Sequence, residues 1–210
     1  MKESKTEVEQ DDTFKVFPDA AGKAYFPENK ESYYTRYLAA MKEPSLQPEL
    51  PKGTDRIFRF TYLRSFHDPL VVRISDTDGV LMARAVRLKK NPDYRPGKIL
   101  HDRTWTLDAE STKVFLKLRE TKDFWKPLNP SEEALASGGL DGSRWIFEMH
   151  DKDGYRMMNL WSPDVLNATD EQLKNAGIDG SKLRNFLVYK DAGNKILEIG
   201  QIMPEPENRY

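Results

Sequence analysis

The stretch FRFTYLRSFHDPLVVRISDTDGVLMARAV, residues 58–86, decides the fold class of this chain. Large apolar side chains occupy alternate positions in three successive runs, which begin at Phe58, Leu70 and Val80. A repeat of two is typical of a β-strand, in which successive side chains point to opposite faces. Residues 76–79 (DTDG) supply a turn, because aspartate bonds to its own backbone and glycine accepts a positive φ. The stretch therefore predicts an antiparallel meander of three strands.

The rest of the chain extends this pattern and adds helices. A fourth strand is expected over 98–107, after which Asp108 caps a helix that runs to about residue 121. Trp145 and Trp161 belong to two further strands joined by the turn 151–154 (DKDG). Ser181 opens a helix through about residue 189, and residues 195–202 form either helix or strand. The sum is an α+β fold, with an antiparallel sheet of about five or six strands and helices packed on one face.

Four segments are expected along the chain. Residues 1–12 are polar and acidic and predict a disordered leader or tether. Residues 13–55 form an N-terminal helical arm, whose helix over 28–41 is ended by prolines at 44, 48 and 51. Residues 56–203 form the single α+β domain, and 204–210 form a flexible tail.

Composition excludes several classes of protein. The 210 residues contain no cysteine, so disulfide frameworks, thiol chemistry and cysteine-based metal sites are ruled out. No apolar run approaches the ~18 residues that a membrane span requires. The three histidines show no metal-binding spacing, so neither a metal nor a cofactor is expected. Two Asp-x-Asp-Gly segments resemble the start of a calcium loop, but the later ligands are missing and hairpin turns are the favoured interpretation.

The small net charge conceals two blocks of opposite sign. Between Arg56 and Arg103 there are eleven Lys and Arg against five Asp and Glu, a net +6, which leaves -7 for the remaining residues in a total of -1. Arginines at 59, 73, 84 and 87 lie on predicted strands, so some of them can present guanidinium groups from one sheet face to an anion. The alternative is an exposed sheet face whose arginines pair with carboxylates elsewhere in the chain, and this is favoured. Nucleic acid is a weaker interpretation, because the alternation of aromatic residues and arginine is also what one half-buried strand produces.

Two sequence elements resemble a known group of proteins. The elements FRFTYLRSFHDP (58–69) and GLDGSRWIFE (139–148), followed by Gly154 and Trp161, are similar to those of uncharacterised bacterial proteins, many of them secreted or lipoprotein-like. The resemblance covers about 56–190. It implies a bacterial envelope protein and supplies no catalytic residue.

The favoured function is a non-enzymatic binding protein of the bacterial envelope, most concretely an immunity protein or inhibitor that blocks a secreted toxin. The native chain would be periplasmic or tethered to the membrane by a lipid anchor that this chain lacks, or cytoplasmic if Met1 is the true start. Loop and aromatic positions are the expected contacts with the partner: Arg64, His67, Asp68, Trp125, Asp141 and Arg144. For Trp125, a structural role as a plug at the sheet end is preferred to a partner contact.

Two alternatives remain. One is a small hydrolase or lyase whose loops bring together His67, Asp102, Arg103 and Asp141 in one concave pocket. The other is a sensor that binds an anionic ligand through the arginine-bearing sheet face.

Overall fold

The computed structural model describes residues 28–47, 49–93, 95–120, 124–125, 142–163 and 184–203. The predicted leader (1–12) and tail (204–210), and also Asp141 and Ser181, lie outside the described residues.

The described elements form one sheet and three helices. The strands are β1 (Arg56–Arg64), β2 (Leu70–Thr77), β3 (Val80–Lys90), β4 (Pro96–Thr106), β5 (Ser143–Asp151) and β6 (Gly154–Trp161). The helices are α1 (Glu28–Ala40), α2 (Ala109–Arg119) and α3 (Arg184–Ile199). All six strands pair antiparallel in the order β4-β3-β2-β1-β5-β6, which confirms the predicted α+β fold.

Both Asp-x-Asp-Gly segments are hairpin turns, as their residues predict. Asp78 and Gly79 have φ of 51° and 79°, and the Gly79 N–H donates to Asp76 Oδ1 at 3.1 Å. In the second turn Gly154 has φ of 97°, and the Asp153 N–H donates to Asp151 Oδ1 at 3.0 Å. The carboxylates therefore bond to their own turns, which accounts for them without a calcium ion.

One face of the sheet, here called the first face, carries the larger core. Alternate residues of β1 and β5 bury aromatic rings there, and the rings of Phe60 and Phe147 stack with centroids 4.6 Å apart. Helices α2 and α3 cover these rings through residues such as Phe115 and Tyr189. Asp108 caps α2 as predicted, since its Oδ1 accepts from the Ser111 N–H at 2.7 Å.

Helix α3 resolves the alternative left open for 195–202. It runs unbroken from Arg184 to Ile199, so most of this segment is helix. Gly193 lets the helix approach the sheet closely, because a Cβ built there would lie 2.0 Å from a ring carbon of Trp145.

The opposite face, here called the second face, is covered by the arm. Tyr37, Leu38 and Met41 of the arm pack on Val71 and Val86 of the sheet, in a second buried cluster. The two helices of the domain thus share the first face, and the helix of the arm lies on the second. Strand β1, at the centre of the sheet, is buried on both sides.

Candidate functional site

Three arginines form a line across the middle of the second face. Strand register places Arg59 beside Arg73 and Arg73 beside Arg84, on three adjacent strands. On the other side of Arg59 the register places Glu148 of β5. Alternation puts these side chains on the face that the arm covers, so the sequence pattern that buries aromatic rings on the first face also aligns guanidinium groups on the second. We call Arg59, Arg73 and Arg84 the arginine row.

Glu43, three residues after the end of α1 at Ala40, enters the arginine row from the arm. Its carboxylate is fully buried and touches all three arginines. Arg84 Nη1 donates to Oε1 at 2.5 Å and Arg73 Nε donates to Oε2 at 3.0 Å, while Arg59 Nη1 lies 3.7 Å from Oε2. Lys42 adopts φ of 55°, a left-handed conformation that ends the helical path and turns the chain toward the sheet.

Arg59 and Glu148 form an ion pair in which both side chains are buried. Its Nε and Nη2 donate to the two oxygens of Glu148 at 2.6 and 2.7 Å, and the Tyr155 hydroxyl donates to Glu148 Oε1 at 2.9 Å. Burial by itself lowers the pKa of Arg59, but the charge and hydrogen bonds of Glu148, with the charge of Glu43, raise this pKa above its ordinary value. Burial and the charge of Glu148 also raise the pKa of Tyr155, which holds its hydroxyl in the protonated, donating form.

The outer end of the row is closed by Asp102 and by backbone of the arm. Arg84 Nε and Nη2 each donate to one oxygen of Asp102 at 2.9 Å. Arg84 Nη2 also donates to the Met41 carbonyl at 2.8 Å, and Arg59 Nη1 donates to the Pro44 carbonyl at 2.7 Å. The row therefore binds carbonyl oxygens at and beyond the end of α1, where a helix leaves such groups without intrahelical partners.

Three arginines thus face three carboxylates, all supplied by the chain itself. The sequence left open whether the arginine-bearing face binds an external anion or pairs with internal carboxylates. In the structure the arginines pair with Glu43, Glu148 and Asp102. The expectation of an exposed face is wrong, because the arm packs on this face and buries Arg59 and Glu43.

A second group of candidate residues lies where β1, β3 and β5 meet the connections 65–69, 91–95 and residue 142. We call this the loop end of the sheet, and the end with the turns at 76–79 and 151–154 the turn end. Arg64 is at the loop end, where both its Nε and Nη2 donate to the Asp68 carbonyl, at 3.1 and 2.6 Å. Its guanidinium lies 5.2 Å from the ring centroid of Tyr62. Arg64 is buried, so it shapes the β1–β2 loop from within.

Further hydrogen bonds fix the same loop to both neighbouring strands. Asp68 Oδ1 accepts from the Lys90 N–H at 2.9 Å, which ties the loop to the end of β3. The Ser65 N–H donates to the Gly142 carbonyl at 2.8 Å, and the Gly142 N–H donates to Ser65 Oγ at 3.2 Å. Between these anchors Phe66 is 60% exposed. The loop therefore holds a large apolar side chain in solvent on a fixed backbone.

The position directly before β5 requires a glycine, and Gly142 occupies it. Its φ is 149°, and a Cβ there would lie 2.2 Å from Ser162 Oγ and 2.9 Å from a ring carbon of Trp161. The glycine of the GLDGSRW element thus allows β5 and the end of β6 to close on the loop.

His67 is half-buried beside Phe66. Burial and the positive charge of Arg64 lower the pKa of His67, and the charge of Asp68 opposes the shift. The imidazole is therefore mainly neutral at pH 7, because even its ordinary pKa is about 6.5.

The structure brings together most of the residues predicted to contact a partner. Arg64, His67 and Asp68 share the loop end with Arg144, which register places opposite Leu63, and the Arg144 guanidinium lies 4.8 Å from the ring centroid of Trp161. Trp125 lies toward the turn end, where its ring meets Phe124 edge to face and Arg156 lies over it. It is partly buried against the first-face core, as a plug is expected to be.

The residues of the predicted enzyme site are not assembled in the same way. Asp102 binds Arg84 on the second face, whereas its neighbour Arg103 donates to Gln201 Oε1 at 2.7 Å and lies 5.2 Å from the ring of Trp105 on the first face. Successive residues of a strand point to opposite faces, so these two side chains do not line one pocket. His67 has Arg64 and Asp68 as its charged neighbours. Asp141 is not among the described residues.

Three important residues carry no signal in the sequence. Glu43 lies between Lys42 and Pro44, in a segment whose composition indicates only the end of a helix. Glu148 occupies a solvent-type position in an alternating strand, and Phe66 looks like one more aromatic residue of β1. Only the pairing of β1 with β5 and the path of the arm reveal what they contact.

Within the described part of the chain, no helix is long and apolar enough to cross a membrane. The same residues contain no group of three or more His, Asp or Glu arranged to hold a metal ion. No protein-family model matches the sequence, and no curated protein matches it at a significant level.

Proposed function

We propose that the chain is a non-enzymatic binding protein that recognises a protein partner through the loop end of its sheet. The most concrete form of this function is an immunity protein or inhibitor that occupies the active site of a secreted toxin. The main support for the proposal is the β1–β2 loop. Hydrogen bonds hold its backbone, and Phe66 is exposed to solvent at its centre.

Rigidity of this loop favours tight binding. Ordering a mobile loop at an interface opposes association, and a loop already held in one conformation avoids this cost. On both sides of Phe66 the loop is held by hydrogen bonds, which the Arg64 side chain and the N–H groups of Lys90 and Gly142 donate to it. An exposed aromatic side chain on a rigid support is the usual form of an interface anchor, which fills a pocket of the partner and excludes water around it.

The charge around the loop indicates an acidic partner. Among the described residues at this end, the exposed or partly exposed positions include five Lys and Arg against two Asp: Arg87, Lys89, Arg95, Lys98 and Arg144, against Asp68 and Asp93. A surface of one sign speeds encounter with a surface of the opposite sign and rejects partners of like charge. The partner site that suits this end is an apolar pocket bordered by carboxylates, such as the acidic active site of a hydrolase.

The proposal places the protein in the bacterial envelope. A chain without cysteine has no thiol to oxidise in that compartment. A toxin that arrives from outside would meet its inhibitor there.

Affinity capture from the native host with two variants tests this proposal. Phe66→Ala removes the anchor, whereas Val80→Ala removes an exposed apolar side chain at the turn end, far from the β1–β2 loop. Phe66→Ala is expected to weaken partner binding at least about 30-fold, the loss of ~2 kcal/mol typical of an anchor residue. Val80→Ala is expected to leave affinity unchanged, and both should unfold within about 0.5 kcal/mol of the wild type.

A partner captured equally well by both variants would move the contact surface away from the loop end. Failure of the wild type to retain any protein would remove the inhibitor function itself. For a captured partner, inhibition of its hydrolytic activity by the wild type and not by Phe66→Ala is the expected confirmation.

A further inference from the structure

The arginine row has the composition of a binding site for one carboxylate. Without Glu43, three guanidinium groups would face only Glu148 and Asp102, which leaves one positive charge without a partner. A buried charge without a partner is strongly unfavourable, so the site requires one negative charge. Glu43 supplies it, from a segment that is not part of the sheet.

The bonding geometry selects a carboxylate among anions. Oxygen Oε1 of Glu43 binds Arg84 and oxygen Oε2 binds Arg73 with Arg59 nearby, so two oxygens in one plane satisfy the row. The other N–H groups of Arg59 and Arg84 are directed to Glu148, to Asp102 and to the carbonyls of Met41 and Pro44. These oxygens border the site and would repel the additional oxygens of phosphate or sulfate.

Access to the site differs between its two ends. Arg59 is 1% exposed, but the side chains of Arg73 and Asp102 are 20% and 35% exposed. The site is therefore closest to solvent on the β2–β4 side, where a small anion would enter once the Glu43 side chain is removed.

We propose that the arginine row is a carboxylate-binding site in which Glu43 of the arm is the built-in ligand. An external carboxylate occupies the same place once Glu43 is removed, and in the wild type it has to compete with Glu43. This site is separate from the loop end, and the inference does not depend on the proposed inhibitor function.

Thermal unfolding of the full chain in acetate or chloride at equal ionic strength tests the site. Glu43→Ala removes both the charge and the volume of the carboxylate, so acetate should raise its Tm saturably, by about 2–4 °C over chloride. Glu43→Gln is the matched control, because the amide fills the same volume and leaves no room for acetate. Neither Glu43→Gln nor the wild type is expected to respond, and phosphate should stabilise Glu43→Ala no more than chloride does.

Removal of one arginine of the row gives the second control. Arg73→Ala combined with Glu43→Ala balances the charges again, so the acetate effect should disappear. An acetate effect of equal size in the wild type, or one that persists in the double variant, would place the anion elsewhere and overturn the proposal. No acetate effect in Glu43→Ala would overturn it as well.

If Glu43→Ala does not fold in chloride, circular dichroism after refolding replaces the melting curve. Folding restored by acetate supports the site, and a chain that stays unfolded in both salts contradicts it.

Discussion

The two faces of the sheet are buried by different means, although the same strands build both. On β1, Phe60 is inaccessible on the first face and Arg59 is 1% exposed on the second. The first face gains its stability from the removal of aromatic surface from water. The second face combines apolar contacts near the loop end with a polar centre in which each arginine has a carboxylate.

This difference predicts different responses to substitution. An apolar contact that is lost costs the area and the cavity it leaves. A buried ion pair that loses one partner leaves the other charge without compensation, although replacement of both partners is often tolerated. The first face should therefore be sensitive to volume and the second to charge balance.

The largest effect is expected when the second face loses Arg59. Arg59→Met leaves Glu148 and Glu43 with too few cations, so the free energy of unfolding should fall by about 3–5 kcal/mol. Glu148→Gln in the same chain restores the charge balance and keeps an acceptor for Tyr155. Urea denaturation of both variants should therefore show the double variant to be more stable than Arg59→Met alone.

A double variant no more stable than the single one would mean that Arg59 acts through packing and not through charge. In that case the contrast between the faces would fail.

The next effect concerns volume on the first face. Gly193→Ala places a Cβ against the buried ring of Trp145, and overpacking of this kind costs about 1–3 kcal/mol. Trp145→Phe removes the part of the ring that clashes, so Gly193→Ala should be less harmful in that background than in the wild type. Differential scanning calorimetry of the four chains measures the coupling, and additive effects would contradict the contact.

The smallest effect is expected from the hydroxyl of Tyr155. Tyr155→Phe removes one hydrogen bond to Glu148 and should lower the free energy of unfolding by about 1 kcal/mol at neutral pH, measured by urea denaturation.

Its pH dependence has a definite sign. Burial and Glu148 raise the pKa of Tyr155, whereas tyrosines of the unfolded chain ionise near about pH 10. The folded state then keeps a proton that the unfolded state loses, so this stabilisation is complete below about pH 10 and is lost as pH rises above it. Between about pH 9 and 11 the wild type should lose more stability than Tyr155→Phe, and parallel curves would contradict the buried, donating hydroxyl.

The sequence predicts the strands well, but it does not predict what covers the second face of the sheet. Alternation identified β1 to β3, and the turn residues fixed both hairpins, because these signals are local. The same alternation suggested a half-buried strand at Phe58 to Phe66, yet β1 lies at the centre of the sheet with both sides covered. What covers Arg59 comes from β5, 89 residues later, and from an arm outside the predicted domain.

The candidate contact residues also divide into those that local sequence brings together and those that strand pairing brings together. Arg64, His67 and Asp68 form one loop because they are neighbours in sequence. Arg144 joins them only through the pairing of β1 with β5, a contact that no local pattern contains. Phe66 is exposed in a loop held by bonds of Arg64, Ser65 and Asp68 to neighbouring backbone, and the alternation of apolar residues does not predict this exposure.

The position of β1 beside β5 has a consequence for synthesis of the chain. Strands β1 to β4 are contiguous in sequence and can pair as they leave the ribosome, but β5 follows much later. Until then β1 is an open edge with aromatic side chains on one side and, on the other, Arg59 without its partner Glu148. Such an edge is prone to pair with a second chain. The nascent protein is therefore most vulnerable to aggregation between completion of β4 and arrival of β5, and Arg59 is the charge that opposes it.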